Sequence, residues 1–416
     1  MTTHPRPLFI AGFLISSVYY IITSILPIYC IESCAQGGLE WSKAEAFSLY
    51  GTYVAVACIS PFLGGLCADF FCGRRIVASF GYILALCGIL LLPSCRDSYS
   101  ILVSTLSIAL GTGFVKVCLM SSLGTITLTM DQNIRQKLYE YYYVGMCMGF
   151  VVGNFVANPL FDLFKIKGIV GTVIGGVIIS ALLGFQYFTP FMKKEETNTT
   201  IHPLPRGLLF LVLGGLIFLA IPFFLVSHQC HTSISLFIHQ AVDRSIAGFT
   251  IPTLWFASLG SLIMVFFVPL HRRLWRSRET SLDFCEFVKT GVGFLLSASG
   301  FVCLSLLAAH QANLATSIFA LLFANALFLI ADIHVRPVLF SSVTRYVPSK
   351  YHTFSTAIVY TSVGLGAKLA GTFAARVDSI GFTNTFSICT LICLTCAALS
   401  ALLWQQSARA QVRALS

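Results

Sequence analysis

Apolar residues run in long stretches along the whole chain, separated by short polar segments. A helix needs about 20 mainly apolar residues to cross the hydrocarbon core of a bilayer. We count twelve such stretches, at roughly 8–30, 44–69, 76–94, 99–128, 139–163, 168–190, 206–232, 250–270, 285–309, 313–344, 352–375 and 381–404. The pattern therefore predicts an all-α membrane protein with 12 transmembrane helices.

The longest polar break between early and late spans is "KKEETNTTIHPLPR", residues 193 to 206. Its charges, threonines and prolines are typical of a loop. It divides the chain into an N-terminal six-helix bundle (1–192), a cytoplasmic linker (193–205) and a C-terminal six-helix bundle (206–416). Two parallel six-helix halves, with substrate sites near mid-bilayer between them, describe the major facilitator architecture.

Composition and charge agree with a membrane protein. Hydrophobic residues make up 56% of the 416 residues and charged residues only 10%, whereas soluble domains have about 25% charged residues. The net charge is +10, and most basic residues fall in the loops on one side of the predicted spans. This bias places both termini in the cytoplasm, and it accounts for the basic balance without a nucleic-acid partner.

Neither the N-terminal segment nor the cysteines predict a further functional site. The N-terminal run is long and lacks a convincing cleavage site, so we interpret it as the first transmembrane helix. No targeting signal is recognisable, which fits a bacterial inner membrane. The 15 cysteines show no metal-ligand spacing with partner histidines, so neither a metal nor a cofactor is predicted.

Three charged residues lie deep inside predicted spans: Lys116, Asp332 and Arg336. A further interior lysine, Lys368, is interpreted as a helix-end anchor. A charge at mid-bilayer costs at least about 2.5–3.5 kcal/mol, so such residues are functional candidates. Lys116 and Asp332 lie at similar depths in spans 4 and 10, which are counterparts in the two halves. We therefore expect a zwitterionic ligand to meet Lys116 at its carboxylate and Asp332 at its ammonium.

Structural interpretations of the same residues stay open. Asp332 and Arg336 are four residues apart on one helix face and would neutralise each other, or Arg336 would extend to the cytoplasmic interface. Pro337 removes a backbone hydrogen bond and can kink the span. His334 points away from Asp332 on the helix, and a packed, hydrogen-bonded role is the alternative to carrying a proton.

Five motifs, in order over about 300 residues, resemble the proton-dependent oligopeptide transporters of the major facilitator superfamily. In "FLGGLCADFFCGRR", four residues match the signature G-G-x-x-A-D-x-x-x-G: Gly64, Gly65, Asp69 and Gly73. "GTGFVKVCLMSSLG" resembles the fourth span, with Lys116 at the binding-site lysine. "YYYVGMCMG" resembles the fifth span, and "FIHQAVDRSIAGFTIP" the loop after the seventh. "ADIHVRPVLFSSVTRYVP" is similar to the tenth-span pattern E-L-x-x-S-P-x-G-L-S-x-V-T-K-L-A-P.

The chain departs from this family at several polar positions. The first-span E-x-x-E-R, tied to proton coupling in the family, falls on Gly12, Ile15 and Ser16. Other departures are Cys147 for the fifth-span Asn, His228-Gln229 for the seventh-span Glu-Gln, Gly260-Ser261 for the eighth-span Asn-Pro and Asp332 for the tenth-span Glu. The missing asparagines favour a ligand that is smaller or less polar than ordinary di- and tripeptides. Histidine changes charge near neutral pH. We therefore expect His228 to carry protons in place of the missing first-span charges.

The resemblance and the interior charges together predict the site. The predicted substrate-binding residues are Lys116, Asp332, Tyr20, Tyr143, Cys147, Gln229 and Ser341. The predicted proton-coupling residues are Asp332, His228 and His334. The predicted gating or signature residues are Gly64, Gly65, Asp69, Gly73, Arg74, Arg336 and Pro337.

The function that these features favour is secondary active transport by alternating access. We expect proton-coupled import of di- and tripeptides, or of a related small zwitterion, by a monomer in the lipid bilayer. The alternatives are an amino-acid or other metabolite carrier on the same fold, and a nutrient receptor that does not transport. An intramembrane enzyme is disfavoured, because the sequence has neither Gly-x-Ser-x-Gly nor His-Glu-x-x-His and only one deep acidic residue.

Overall fold

The computed structural model describes residues 5–34, 38–128, 130–187, 206–242, 245–246, 249–250, 267, 270, 273, 285–310, 314–374 and 376–415. The α-helices in these ranges are α1 (Arg6–Ile31), α2 (Lys43–Cys67), α3 (Arg74–Leu91), α4 (Ser98–Ile126), α5 (Gln132–Gly184), α6 (Arg206–Ser227), α7 (Ser233–Ala241), α8 (Cys285–Ala309), α9 (Leu314–Tyr346), α10 (His352–Ala374), α11 (Val377–Ile380) and α12 (Phe382–Leu415). Two-residue strands, β1 (Ser245–Ile246) and β2 (Phe249–Thr250), pair antiparallel.

Ten helices in the described ranges are long and apolar enough to cross a membrane. They correspond to ten of the twelve predicted spans. The fifth predicted span lies within α5 but is not among the ten, and the eighth falls almost wholly outside the described residues. The predicted linker, 193–205, also lies outside them.

A backbone break divides α5 where the sequence predicts the loop between spans 5 and 6. Lys165 has φ 55° and ψ −165°, which are not helical values. The candidate span Leu163–Tyr187 occupies the second part of α5. The single long helix is therefore two helical segments joined at Lys165.

Local capping fixes the starts of two helices. Ser42 and Glu45 form a reciprocal capping box at the start of α2, which satisfies two backbone N–H groups that a helix start leaves unpaired. Asp97 accepts a hydrogen bond from the Ser100 N–H at 2.9 Å and begins α4. Between α2 and α3, Gly73 has φ +83°, a conformation that residues with a Cβ rarely adopt.

The chain forms two compact units. Unit 1 comprises Met1–Met130, Tyr141–Thr199 and Val347–Thr361, and unit 2 comprises Asp131–Glu140, Thr200–Tyr346 and Ser362–Ser416. The segments 131–140 and 347–361 are thus each assigned to the unit built mainly from the other half of the chain. The division into domains at the linker stays a prediction.

Each unit has its own core. In unit 1, the Tyr82 hydroxyl is 3.0 Å from the Ser180 hydroxyl, which donates to the carbonyl of Ala11 at 2.9 Å, so α3, α5 and α1 are tied together. In unit 2, buried aromatic rings pack edge to face, as Phe223 does against Phe294 at 5.7 Å. These cores hold the helices that carry the predicted site residues.

Candidate functional site

Lys116 lies on α4 of unit 1, against aromatic rings of α1. Its Nζ is 3.7 Å from the centre of the Tyr19 ring and 5.6 Å from that of Tyr20. An ammonium within about 6 Å of a ring face is attracted by the ring's quadrupole, by about 2 kcal/mol or more where water is excluded. The two rings of α1 therefore hold the cationic end of Lys116.

Further rings fix the position of these two tyrosines. Tyr19 stacks on Tyr53 of α2, with centroids 5.6 Å apart and an interplanar angle of 16°. Tyr20 meets Phe150 of α5 edge to face at 5.0 Å. We call Tyr19, Tyr20, Tyr53 and Phe150 the aromatic cage. Rings of α2 and α5 thus support the two tyrosines of α1 that lie against the lysine of α4.

No carboxylate accompanies Lys116 in the part of unit 1 that the structure describes. The ion pair seen there joins Asp69 to Arg74, at the end of α2. Lys116 itself forms no ion pair or hydrogen bond with a described residue. The residue as a whole is only partly buried.

The positions where the resembling family carries first-span charges are packed with apolar or aromatic groups. A Cβ added at Gly12 would lie 2.6 Å from the ring of Tyr142, which is itself only 2% exposed. Ile15 is fully buried and Ser16 is 1% exposed. The space beside α1 therefore has no room for an acidic side chain at residue 12.

Asp332 lies on α9 of unit 2 and is already engaged. Its Oδ1 is 3.1 Å from Nε of Arg336, one turn later on the same helix. Ser227 of α6 donates to the same oxygen at 3.2 Å and accepts from Arg336 at 3.1 Å. The Arg336 guanidinium also lies 4.9 Å from the centre of the Phe224 ring. Asp332 and Arg336 therefore neutralise each other, as their four-residue spacing allowed.

The two histidines with predicted proton roles both contact their own helices. Nδ1 of His228 is 2.8 Å from the carbonyl oxygen of Phe224, and Nδ1 of His334 is 2.7 Å from that of Ile330. Because a carbonyl only accepts, each Nδ1 carries a proton. His334 is buried whereas His228 is partly exposed. Their part in proton coupling stays a prediction.

Two predicted substrate-binding residues of unit 2 are bonded locally. Gln229 is fully buried; its amide donates to the carbonyl of Leu225 at 3.3 Å and accepts from Ser233 at 2.6 Å. The Ser341 hydroxyl donates to the carbonyl of Val338 at 3.1 Å. Both side chains stabilise their own helix turns, and substrate contact by either stays a prediction.

The remaining predicted residues are distributed over both units. Tyr143 is buried and Cys147 partly exposed on α5 in unit 1, and Pro337 lies inside α9 in unit 2. Gly64 packs closely on Phe114, since a Cβ there would approach that ring to 2.9 Å.

The signature acid and its arginine form a network with the start of α10, inside unit 1. Oδ2 of Asp69 accepts from the Phe354 N–H at 2.6 Å. Arg74 donates to Thr353 at 2.7 Å and to Thr125 at 2.6 Å. A Cβ at Gly65 would come within 2.8 Å of the Thr353 carbonyl, so α2 and α10 are in close contact here.

Sequence reasoning missed several residues of the site. Tyr19 carries the nearest contact to Lys116 and Ser227 bridges Asp332 and Arg336, but neither was a candidate. The adjacent Tyr19-Tyr20 pair was visible in the sequence. The two tyrosines differ in how closely their rings approach Lys116 of α4, and the sequence does not show this distance.

Comparison with known proteins finds transporters. A family model described as the POT family matches residues 191–388. The chain is 23% identical to the uncharacterised transporter YclF of Bacillus subtilis, over 94% of this chain and 91% of the relative. It is 24% identical to the peptide transporter YePEPT of Yersinia enterocolitica, over 96% of this chain and 94% of the relative.

The fold also matches solved structures over its whole length. A crystal structure of the peptide transporter POT in complex with alafosfalin superposes with a TM-score of 0.71, at 16% identity, covering 96% of this chain and 94% of that one. This likeness confirms the predicted fold class, an all-α integral membrane protein with the major facilitator fold.

Proposed function

We propose that this chain, which belongs to the POT family, is a secondary active transporter that imports small peptides or a related small zwitterion together with protons. The relatives named peptide transporters support the substrate class, and similarity to transporters along the whole chain disfavours an enzyme. We place the protein as a monomer in a bacterial inner membrane, with both termini in the cytoplasm as the loop charges require.

The observation that carries the proposal is the environment of Lys116. A lysine inside a membrane span is costly unless it meets a partner or a ligand, and this one is held by rings of the aromatic cage without a carboxylate among the described residues. A substrate carboxylate supplies the missing negative charge. Lys116 is therefore the substrate-binding residue of unit 1 in this proposal.

Proton coupling is assigned to Asp332 and its partners in unit 2. The carboxylate is held by Arg336 and Ser227, and protonating it would remove the charge that keeps Arg336 in place. A proton that favours one access state over the other shifts the populations of the two states. His228 is the second residue proposed on the proton route.

Uptake into proteoliposomes tests the proposal. An inward proton gradient should drive accumulation of a labelled dipeptide or its analogue above equilibrium, and a protonophore should abolish the accumulation but not exchange. A non-transporting receptor would bind the ligand and show no counterflow.

A variant separates coupling from binding. Asp332→Asn removes the titrating carboxylate but keeps the side chain's size, so we expect exchange to continue while uphill accumulation is lost. Lys368→Gln, a change at an exposed residue of α10, is the matched control. If Asp332→Asn still accumulates substrate against its gradient, Asp332 is not the coupling residue.

A further inference from the structure

We propose that Glu286 binds and releases protons during transport, at the end of α8 that the proposed topology places at the cytoplasm. The inference rests on the proton-coupled transport proposed above and adds a residue to the proton route. It concerns unit 2 alone, to which Glu286, Asp332 and His334 all belong. Glu286 stands at the start of a predicted span and was not a candidate for the site.

The carboxylate of Glu286 is buried, and its two oxygens have different surroundings. The residue is 5% exposed. Its Oε1 accepts a hydrogen bond from Nη1 of Arg345 at 2.9 Å and another from the Tyr346 hydroxyl at 3.1 Å. Its Oε2 is also buried and accepts no hydrogen bond from a residue that the structure describes. A buried polar atom in this condition is uncommon and calls for a physical reason.

A proton can bind to Oε2 without breaking the contacts of Oε1. When Oε2 takes up a proton from water, an O–H bond forms there and the carboxylate becomes a neutral acid. Oε1 then still accepts from Arg345 and Tyr346 as a carbonyl oxygen. Release of the same proton to water restores the ion pair with Arg345. Both protonation states therefore keep the observed contacts of Oε1, as a residue that repeatedly takes up and releases a proton requires.

The Glu286–Arg345 pair lies between buried and exposed side chains. The Arg345 side chain is 38% exposed, whereas that of Glu286 is 7% exposed. Lys289, about one turn further along α8, is only 1% exposed as a residue. Exchange of protons with water is therefore assigned to the side of Glu286 on which Arg345 lies.

On its inner side, Glu286 is connected to His334 by the contact between α8 and α9. Glu286, Lys289 and Gly293 follow at intervals of three and four residues, so they share one face of α8. A Cβ added at Gly293 would lie 3.6 Å from the Cβ of His334, so this face packs against α9. Lys289 is close enough to His334 for their charges to interact. Titratable groups therefore follow one helix contact from the predicted proton-coupling residues to the exposed Arg345.

Other polar groups around this contact come from the start of α5 and from α12. Arg135 is 5% exposed and interacts electrostatically with Arg345. Glu140, in the same segment of α5, is 1% exposed. Helix α12 contributes the uncharged Ser400, whose hydroxyl donates to the carbonyl of Phe287 at 2.7 Å. Because charges of both signs surround Glu286, a test has to change its carboxylate alone.

Uptake into proteoliposomes separates proton movement from substrate binding. Glu286→Gln keeps an oxygen for Arg345 and Tyr346, but the amide nitrogen that replaces Oε2 cannot take up a proton. With the membrane potential held at zero, a gradient of about one pH unit supports roughly tenfold accumulation when one proton accompanies each substrate. We expect wild type to accumulate labelled alanyl-alanine to this extent and Glu286→Gln to lose the accumulation while keeping counterflow. A pH-sensitive dye inside the vesicles should show that substrate-induced proton uptake is lost with it.

Two control variants distinguish the titrating carboxylate from the packing around it. Glu286→Asp keeps a carboxylate at residue 286, so it should restore the accumulation and proton uptake that Glu286→Gln loses. Glu45 is exposed at the start of α2, where a glutamine also fits the capping box. Glu45→Gln should therefore accumulate substrate as wild type does.

Chemical labelling tests the wild-type protein without any substitution. Dicyclohexylcarbodiimide reacts with protonated carboxyl groups in apolar surroundings and leaves an N-acylurea that mass spectrometry locates. Labelling of Glu286 should increase as the pH is lowered. If Glu286→Gln exchanges no substrate, this labelling and the accumulation by Glu286→Asp determine the result.

The outcomes distinguish this inference from the general function. Wild-type accumulation in Glu286→Gln, loss of accumulation in Glu286→Asp, or no labelling of Glu286 at any pH would overturn the inference and leave the transporter function standing. If the wild-type protein neither exchanges nor accumulates dipeptides, the proposed function fails and the inference fails with it. Loss of coupling in Glu286→Gln that Glu286→Asp restores supports both.

Discussion

At the scale of single residues, the lysine and the aspartate that the sequence singled out have different surroundings. Lys116 is held by ring faces, whereas Asp332 is held by an arginine and a serine. The neighbours of Lys116 and those of Asp332 can therefore be tested by separate substitutions.

Tyr19 is the first such neighbour. Tyr19→Phe keeps the ring that faces Lys116, so we expect substrate affinity close to that of wild type. Tyr19→Leu removes the ring face and should weaken binding by about 1–2 kcal/mol, which lies between the values of exposed and desolvated cation–π contacts. Dissociation constants measured by titration calorimetry compare the two. Equal affinities for the Phe and Leu variants would show that the ring does not position the lysine.

Gly12 tests the packing that replaces the family's first-span charges. Gly12→Glu places side-chain atoms against the ring of Tyr142, and overpacking of this kind costs about 1–3 kcal/mol. We expect a lower melting temperature in detergent. Combining it with Tyr142→Ser should cost less than the two single changes added together, because residues in contact are not additive. Strict additivity would mean that Tyr142 does not fill this space.

The sequence predicted which residue types form the site better than it predicted their partners. A charge inside an apolar run is visible in one dimension, as Lys116 and Asp332 were, and so is the four-residue spacing of Asp332 and Arg336. The contacts of Tyr19 and Ser227 were not visible, because they depend on which helix faces which. Arg336 stands at the serine of the tenth-span pattern, so the departure itself could be identified from the sequence, but its contact with Ser227 could not.

At the scale of secondary-structure elements, helix starts show the same contrast. Asp97 caps α4 from the adjacent position in sequence, whereas the start of α10 receives Asp69 from a distant helix. A cap supplied locally is recognisable from sequence spacing. A cap supplied by another element appears only when the helices are assembled.

Asp69 can be tested through this remote cap. Asp69→Ala leaves the Phe354 N–H and the Arg74 guanidinium without the carboxylate, and losing a hydrogen bond to a charged group costs about 1.5–3 kcal/mol. We expect a clear fall in melting temperature. Asp97→Ala, an exposed local cap on α4, is the control and should have a smaller effect. A smaller effect of Asp69→Ala than of Asp97→Ala would contradict the assigned network.

The pH dependence of the α4 cap has a defined sign. The hydrogen bond from the Ser100 N–H holds the pKa of Asp97 below its ordinary value. The stabilisation is therefore present above the ordinary pKa of the unfolded chain and is lost as the pH falls through the lower pKa of the folded state. Melting temperatures recorded down to pH 3 should show that Asp97→Asn removes part of this acid dependence.

At the scale of the whole molecule, the substrate charge determines whether transport moves net charge. A monoanion carried with one proton moves none, whereas a zwitterion carried with one proton moves one positive charge. The latter gains about 2.3 kcal/mol from each 100 mV of membrane potential. We expect an inside-negative potassium diffusion potential set with valinomycin to stimulate uptake driven by a pH gradient. Uptake that does not respond to the potential would contradict transport of a zwitterion together with a proton.

Recognition of a substrate carboxylate by Lys116 is the central claim, and a binding measurement tests it most directly. Titration calorimetry with alanyl-alanine compares wild type, Lys116→Gln and the control Lys368→Gln. Losing a charge-assisted hydrogen bond should weaken binding to Lys116→Gln about tenfold to a hundredfold, with the control unchanged. Wild-type affinity in Lys116→Gln would contradict the account.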